Sequence, residues 1–210
     1  MRGLFITIEG TEGVGKSTNV SFVQQYIVSR GIELVVTREP GGTPLAEEIR
    51  HLLLAPRSES FDPVAELLLI FAARAQHIRE VIAPALARGA WVLSDRFTDA
   101  TYAYQGFGRG LPLDVIRLLE GVVQNQLHPD KTILLDIDVT VGLERARARG
   151  ELDRFEQEEI LFFESVRTGY KTRVEENPHR YAVVDAGQAL ASVQEDIKQA
   201  LDVLMAQTKT

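Results

Sequence analysis

Residues 4–17 read LFITIEGTEGVGKS, and the order of residue types in this stretch decides the fold. Leu4 to Ile8 form a compact apolar, β-branched run, suited to a strand buried on both faces and expected at the centre of a sheet. Gly10 to Ser17, GTEGVGKS, then fits the pattern of glycine, four residues and Gly-Lys-Ser. Beyond it Val20, Phe22, Val23, Tyr26 and Ile27 recur at helical spacing up to Gly31, which predicts a helix over Lys16 to Arg30. Strand, glycine-rich turn and helix in this order make a phosphate cradle. Gly10, Gly13 and Gly15 let backbone N–H groups turn inward, and the helix start adds partial positive charge. Lys16 reaches the β and γ phosphates of a nucleoside triphosphate and Ser17 can ligate Mg²⁺. Thr11, Glu12, Val14 and Thr18 complete the stretch expected to bind ATP.

Working outward, Glu33 to Thr37 repeats the strand signal, and helices open at Thr43-Pro44 and at Asp62-Pro63, each with an N-cap residue followed by proline. Trp91–Ser94, Thr132–Ile137 and Tyr181–Val184 are further strand candidates separated by helical patterns. The expectation is an α/β, three-layer P-loop fold. Its five-stranded parallel sheet is flanked by helices, with ligands at the carboxyl ends of the strands. The 210 residues suit one domain spanning 1–210, long enough to bury about 70% of the unfolded surface. With 23 Lys plus Arg against 30 Asp plus Glu the net charge is −7, which argues against a nucleic acid polymer as partner. No cysteine is present, so disulfides and thiolate metal sites are excluded, and no run of 18 apolar residues predicts a membrane span. The opening MRGLFITIEGTEG lacks a signal-peptide cleavage pattern, and a cytoplasmic protein is expected.

The same loop serves GTPases, motor ATPases and small-molecule kinases. A guanine-reading NKxD segment and a DxxG switch are both missing, and the compact chain leaves sequence for a second pocket, which favours a kinase. A partner-regulated P-loop ATPase or binding module is the reading from another class. Glu12 would repel a triphosphate from inside the loop, so its side chain must turn toward a sugar hydroxyl, an arginine or a magnesium-bound water. The loop has no arginine, so the cation for the transition state has to come from elsewhere, and Arg145, Arg147, Arg149 and Arg154 form the obvious cluster, a short lid over about 145–156. Asp95 and Arg96 close a strand, where Asp95 could hold a metal's water shell and Arg96 could clamp a phosphate; Arg38 is a second clamp. His51, His77, His128 and His179 lack metal-ligand spacing and read as structural or surface residues. Gly106 to Gly110, GFGRG, reads as a flexible pocket rim with Arg109 as a surface contact.

TREPGGT (Thr37 to Thr43), the acidic phosphate loop, DRF (Asp95 to Phe97), AYQG (Ala103 to Gly106) and RARARGELDR (Arg145 to Arg154) together resemble the bacterial thymidylate kinases. The likeness spans nearly the whole chain. It implies transfer of phosphate from ATP to dTMP with Mg²⁺ by a cytosolic homodimer; a kinase for another nucleotide or nucleoside is the runner-up. It also implies that Arg38, Arg50 and Arg96 hold the dTMP phosphate, that Arg74 meets a thymine carbonyl, and that Thr101 and Gln105 line the base pocket. Tyr104 packs on the deoxyribose, Glu12 faces the 3′-hydroxyl side and Arg149 is the lid arginine. Many relatives carry an aromatic residue four before the base-reading arginine. Here that position is Ile70 and the aromatic is Phe71, three before, which leaves these two to cover the base, with Phe71 the candidate for stacking. Ala100 stands where relatives often carry serine.

Overall fold

A computed structural model describes residues 2–56, 58–148, 154–155 and 158–207. The first half runs β1 (Phe5–Glu9), α1 (Lys16–Ser29), β2 (Leu34–Arg38), α2 (Pro44–Leu54), α3 (Pro63–His77), α4 (Ala83–Ala87), β3 (Trp91–Asp95) and α5 (Thr98–Thr101). The second runs α6 (Leu113–Gln124), β4 (Lys131–Asp136), α7 (Val139–Arg147), α8 (Ile160–Glu176), β5 (Tyr181–Asp185) and α9 (Leu190–Gln207). All pairings are parallel in the order β2-β3-β1-β4-β5, so the strand that leads into the glycine loop is central, as its sequence predicts. Ile8 stands opposite both Asp95 and Ile133, and Arg38 opposite Asp95. That register brings the phosphate loop, Arg38 and Asp95 to one edge of the sheet.

Side-chain alternation builds the layers. Ile6 and Ile8 of β1 face α1 and α9 and pack with Val23, Ile27, Ile197 and Leu201. On the other face Phe5 meets Ile82, Leu86 and Phe97, and Leu134 of β4 meets Phe163, Val166 and Tyr170 of α8. Thr7 shares that second face, bonded to Thr132 Oγ1 at 2.9 Å, and Glu9 follows it by period two. A carboxylate is thereby buried at the end of the central strand, directly before the loop. The expected caps are present: Thr43 Oγ1 accepts from Ala46 N (3.1 Å), and Asp62 Oδ1 accepts from Val64 N and Ala65 N (2.9 and 3.0 Å).

Two wider π-helical turns occur, Ile78–Ile82 between α3 and α4, and Tyr102–Gly108 continuing α5. The second corrects the reading of Gly106 to Gly110 as a flexible rim. Tyr102–Gly108 is helical because α8 approaches it at Gly169, where a Cβ would lie 2.9 Å from both Ala103 Cα and Phe107. Arg109 is not the surface contact expected either: it is largely buried over the Phe162 ring (4.7 Å) and paired with Glu158 (2.7 Å). Among the described residues no helix is long and apolar enough to cross a membrane.

Candidate active site

The loop between β1 and α1 is built by backbone. Gly10, Gly13 and Gly15 all have positive φ, and at Gly13 (φ 72°) a Cβ would stand 1.8 Å from the Gly142 carbonyl oxygen. Gly142 in α7 is equally tight, with a Cβ 2.6 Å from the Glu12 carbonyl oxygen. Two facing glycines therefore seat the loop directly on α7. No side chain caps the start of α1, so its first N–H groups face the loop's bowl and suit an anion. Lys16 Nζ donates to the carbonyls of Gly10 (3.2 Å) and Thr11 (3.0 Å). Burial pushes this ammonium down to about 8, reinforced by the Arg96 cation and opposed by Asp95, Glu12 and Glu9. An anion entering the bowl would relieve that repulsion and restore the charge.

At the end of β3, Arg96 holds a left-handed backbone (φ 70°), a conformation that costs about 1–3 kcal/mol for a residue with a Cβ. Three bonds impose it: Arg96 N to Ile8 O (3.0 Å), Ser94 Oγ to Arg96 O (2.7 Å) and Phe97 N to Glu9 Oε1 (2.7 Å). The turn throws the guanidinium across the cavity, over the Tyr104 ring at 4.7 Å. Its Nη2 donates to Glu12 Oε1 (2.7 Å) and its Nη1 to Tyr170 Oη (3.1 Å), while Tyr104 Oη donates to Glu12 Oε2 (2.6 Å). Of the three destinations open to Glu12, the arginine is the one observed, with Tyr104 on the second oxygen. Burial alone would lower Arg96, but Tyr104, Tyr170, Glu12 and Asp95 raise it well above its usual range. Nearby, Arg50 Nη1 donates to Pro40 O (2.8 Å), and burial together with the Arg38 and Arg96 cations lowers its pKa. Arg38 is exposed and grips Glu47 with two bonds of 3.3 and 2.8 Å.

The far end is a buried polar set. The Arg74 guanidinium lies between the rings of Phe71 (4.9 Å) and Phe97 (5.1 Å). Its Nε donates to Glu39 Oε2 (2.7 Å), its Nη2 donates to Thr101 Oγ1 (2.9 Å), and its Nη1 is buried with no partner among the described residues. Glu39 Oε1 bonds His77 Nδ1 (3.0 Å), whose Nε2 bonds Thr37 Oγ1 (2.6 Å), so His77 is structural, as expected. Gln105 Nε2 donates to Glu66 Oε1 (2.7 Å), and Glu66 Oε2 accepts from Arg154.

One cavity of about 370 Å³ connects all three regions. Of the expected site residues, Glu12, Gly13, Gly15, Lys16, Ser17, Thr18, Arg38, Arg50, Arg74, Asp95, Arg96, Thr101, Tyr104 and Gln105 line it. Gly10 and Thr11 do not line it but hold Lys16, and the Val14 side chain is buried in the core under α1. Arg149 lies outside the described residues. Among the described residues Asp95 Oδ1 is buried without a hydrogen-bond partner, and with the Ser17 hydroxyl on the same cavity this oxygen set suits a hard divalent cation.

The sequence profile of the thymidylate kinase family matches residues 8–197. The chain belongs to the thymidylate kinase family. The thymidylate kinase of Teredinibacter turnerae is 63% identical over 205 residues, covering 98% of this chain and 100% of the relative. That of Pseudomonas fluorescens strain SBW25 is 60% identical, with 98% of each chain covered. The crystal structure of thymidylate kinase from Ehrlichia chaffeensis superposes with a TM-score of 0.78 at 32% identity, covering 96% of this chain and 99% of that one.

Against the expectation drawn from thymidylate kinases, Phe71 does not line the cavity. It packs with Leu67, Tyr102 and Ile116, and Ile70 takes the wall position four before Arg74. Glu39 and Phe97, which line the cavity, and Glu66, which stands behind Gln105, have parts in the site that residue-by-residue reading missed. A signal existed for Glu66, a charged residue in a leucine-rich helix, eight before Arg74 and therefore on its face. Arg145, in the arginine cluster, lines the cavity and donates to Ala186 O (3.0 Å).

Proposed function

We propose that this chain transfers the terminal phosphoryl group of ATP to dTMP, giving ADP and dTDP, as a homodimer in the cytoplasm. What carries the reading is a single cavity that joins a triphosphate loop to a bowl of three arginines and ends at buried hydrogen-bonding groups. The loop N–H groups and Lys16 hold the donor phosphates. Arg38, Arg50 and Arg96 hold the acceptor phosphate, Glu12 and Tyr104 flank the sugar, and Arg74, Thr101 and Gln105 meet the base. An anionic oxygen of the dTMP phosphate attacks the γ-phosphorus in line, and the bond from that phosphorus to the β-bridging oxygen breaks with its electron pair leaving on ADP. No protein base is required, so the residues supply alignment and charge neutralisation. Ser17 and Asp95 would hold Mg²⁺, which when bound neutralises charge on the donor phosphates. Arg149 supplies the remaining cation from the lid.

The homodimer has support on the opposite side of α3, which packs between α2 and α6. Leu45, Leu52, Val64, Leu68, Leu118 and Val122 of these helices are exposed aliphatics and form its proposed surface.

The test is ADP formation with ATP and Mg²⁺, comparing no acceptor with dTMP, dUMP, dCMP, dGMP and thymidine. Turnover favouring dTMP is expected. Turnover favouring another acceptor would shift the substrate, and ADP release independent of every acceptor would point to a partner-regulated ATPase.

A further inference from the structure

A glutamine amide is nearly symmetric in shape but opposite in polarity at its two ends, so left to itself it can flip to match either a donor or an acceptor on a base edge. Gln105 lines the cavity and is buried, and its nitrogen is committed to Glu66 Oε1 at 2.7 Å. A carboxylate only accepts, so this bond fixes the flip and turns the Gln105 carbonyl away from Glu66. Glu66 is itself held: its second oxygen carries Arg154, whose Nε donates to Leu53 O at 2.8 Å, and it sits on the same face of α3 as Arg74. Arg74 brings the complementary polarity, a buried Nη1 donor with no partner among the described residues. The pocket thus presents one donor and one acceptor. A 4-oxo pyrimidine with a protonated N3 matches both, whereas a 4-amino pyrimidine puts donor against donor and acceptor against acceptor.

We infer that Glu66, which need not touch the substrate, is a specificity-determining positioning residue that locks Gln105 in the orientation selecting a 4-oxo over a 4-amino pyrimidine. The inference rests on the thymine reading of the pocket. The probe that separates the two is 5-methyl-dCMP, which keeps the methyl group of dTMP and exchanges its hydrogen-bonding edge. The wild-type enzyme is expected to favour dTMP in kcat/KM by on the order of 10⁴. A ratio near one would overturn the thymine reading itself.

Given a large wild-type ratio, Glu66→Gln frees the amide to flip and should reduce it by roughly 30-fold, mostly by improved use of 5-methyl-dCMP. Arg154→Gln, which removes the partner on the second oxygen of Glu66 and leaves Gln105 and Arg109 on the first, should lower kcat for both acceptors and leave the ratio within about threefold. An unchanged ratio in folded Glu66→Gln overturns the inference, and so does an equal loss in Arg154→Gln, because Glu66 would then act through the arginine-rich segment. Should Glu66→Gln not fold, wild-type protein carries the test. With ¹⁵N-labelled dTMP bound, scalar coupling across the hydrogen bond should run from the base N3–H to the side-chain carbonyl carbon of Gln105, identified by its loss in Gln105→Ala. Coupling from the Gln105 amide nitrogen to the base overturns the proposal.

Discussion

The two ends of the cavity are built from different materials. The donor end is main chain: eight consecutive residues, three glycines at positive φ and one lysine folded back on two carbonyls. The acceptor end is side chain, with arginines drawn from β2, α2, α3 and the turn after β3, each oriented by a carboxylate or carbonyl of another segment, from 9 to 84 residues away. Main chain can hold any triphosphate without reading its base. Side chains fixed by buried carboxylates can read a base but need the whole fold to stand in place.

If the ends are separable, removing the phosphate loop's lysine should leave acceptor binding alone. Lys16→Ala is expected to lower kcat by about 10³-fold while the dTMP dissociation constant, measured by calorimetry, changes less than about threefold. An equal loss in both would merge the two ends. The seam between the loop and α7 comes next. Gly142→Ala places a methyl 2.6 Å from the Glu12 carbonyl, so the loop and the Glu12 pairing to Arg96 must both shift. A fall in kcat/KM of about 10²-fold is expected for ATP and dTMP together, whereas a loss confined to ATP would show that the seam serves the donor alone. At the acceptor end, Arg74→Leu should lower kcat/KM for dTMP by about 10- to 100-fold and leave the KM for ATP within about twofold, since it removes one charged donor.

The smallest effect concerns the carboxylate beneath both ends. Burial, and then the Asp99 carboxylate, push Glu9 up to about 8, against the pull of Arg96, Tyr170 and the Phe97 N–H. The folded protein keeps this proton from the unfolded value of 4.5 up to about 8, while the unfolded chain gives it up. Its contribution is therefore fully present below 4.5 and is lost as pH rises to about 8, by at most about 1.4 kcal/mol per pH unit. Lys16, lowered from 10.5 to about 8, works in the opposite sense above that window. Urea midpoints of Glu9→Gln should vary less between pH 5 and 8 than those of the wild type; parallel curves would remove Glu9 as a titrating group.

The same contrast explains which features are legible in the sequence and which are not. The loop is contiguous, so its motif, central strand and following helix can all be read directly, as can Thr43 and Asp62, because a cap interacts with residues two or three away. Arg74 and Gln105 are reachable through likeness to a family, but their carboxylate partners are not, because Glu39 and Glu66 are set by packing across 35 and 39 residues of sequence. Phe71 is misplaced for a related reason. Residues three and four before Arg74 share a helix face in projection, and only the neighbours Tyr102 and Ile116 decide which of them turns to the core. The π-helical Tyr102–Gly108 is hidden by its glycines, since contact with α8 overrides their local preference.

The left-handed Arg96 also limits what can be transplanted. Its backbone is held by the Ile8 carbonyl of a neighbouring strand, by Ser94 two residues earlier and, one residue on, by Glu9 through Phe97 N. Grafting only DRF onto another parallel sheet would import the arginine without the constraints that aim it, and the turn would relax to an ordinary conformation. The smallest portable unit is the pair β1 and β3 with their turns, moved together.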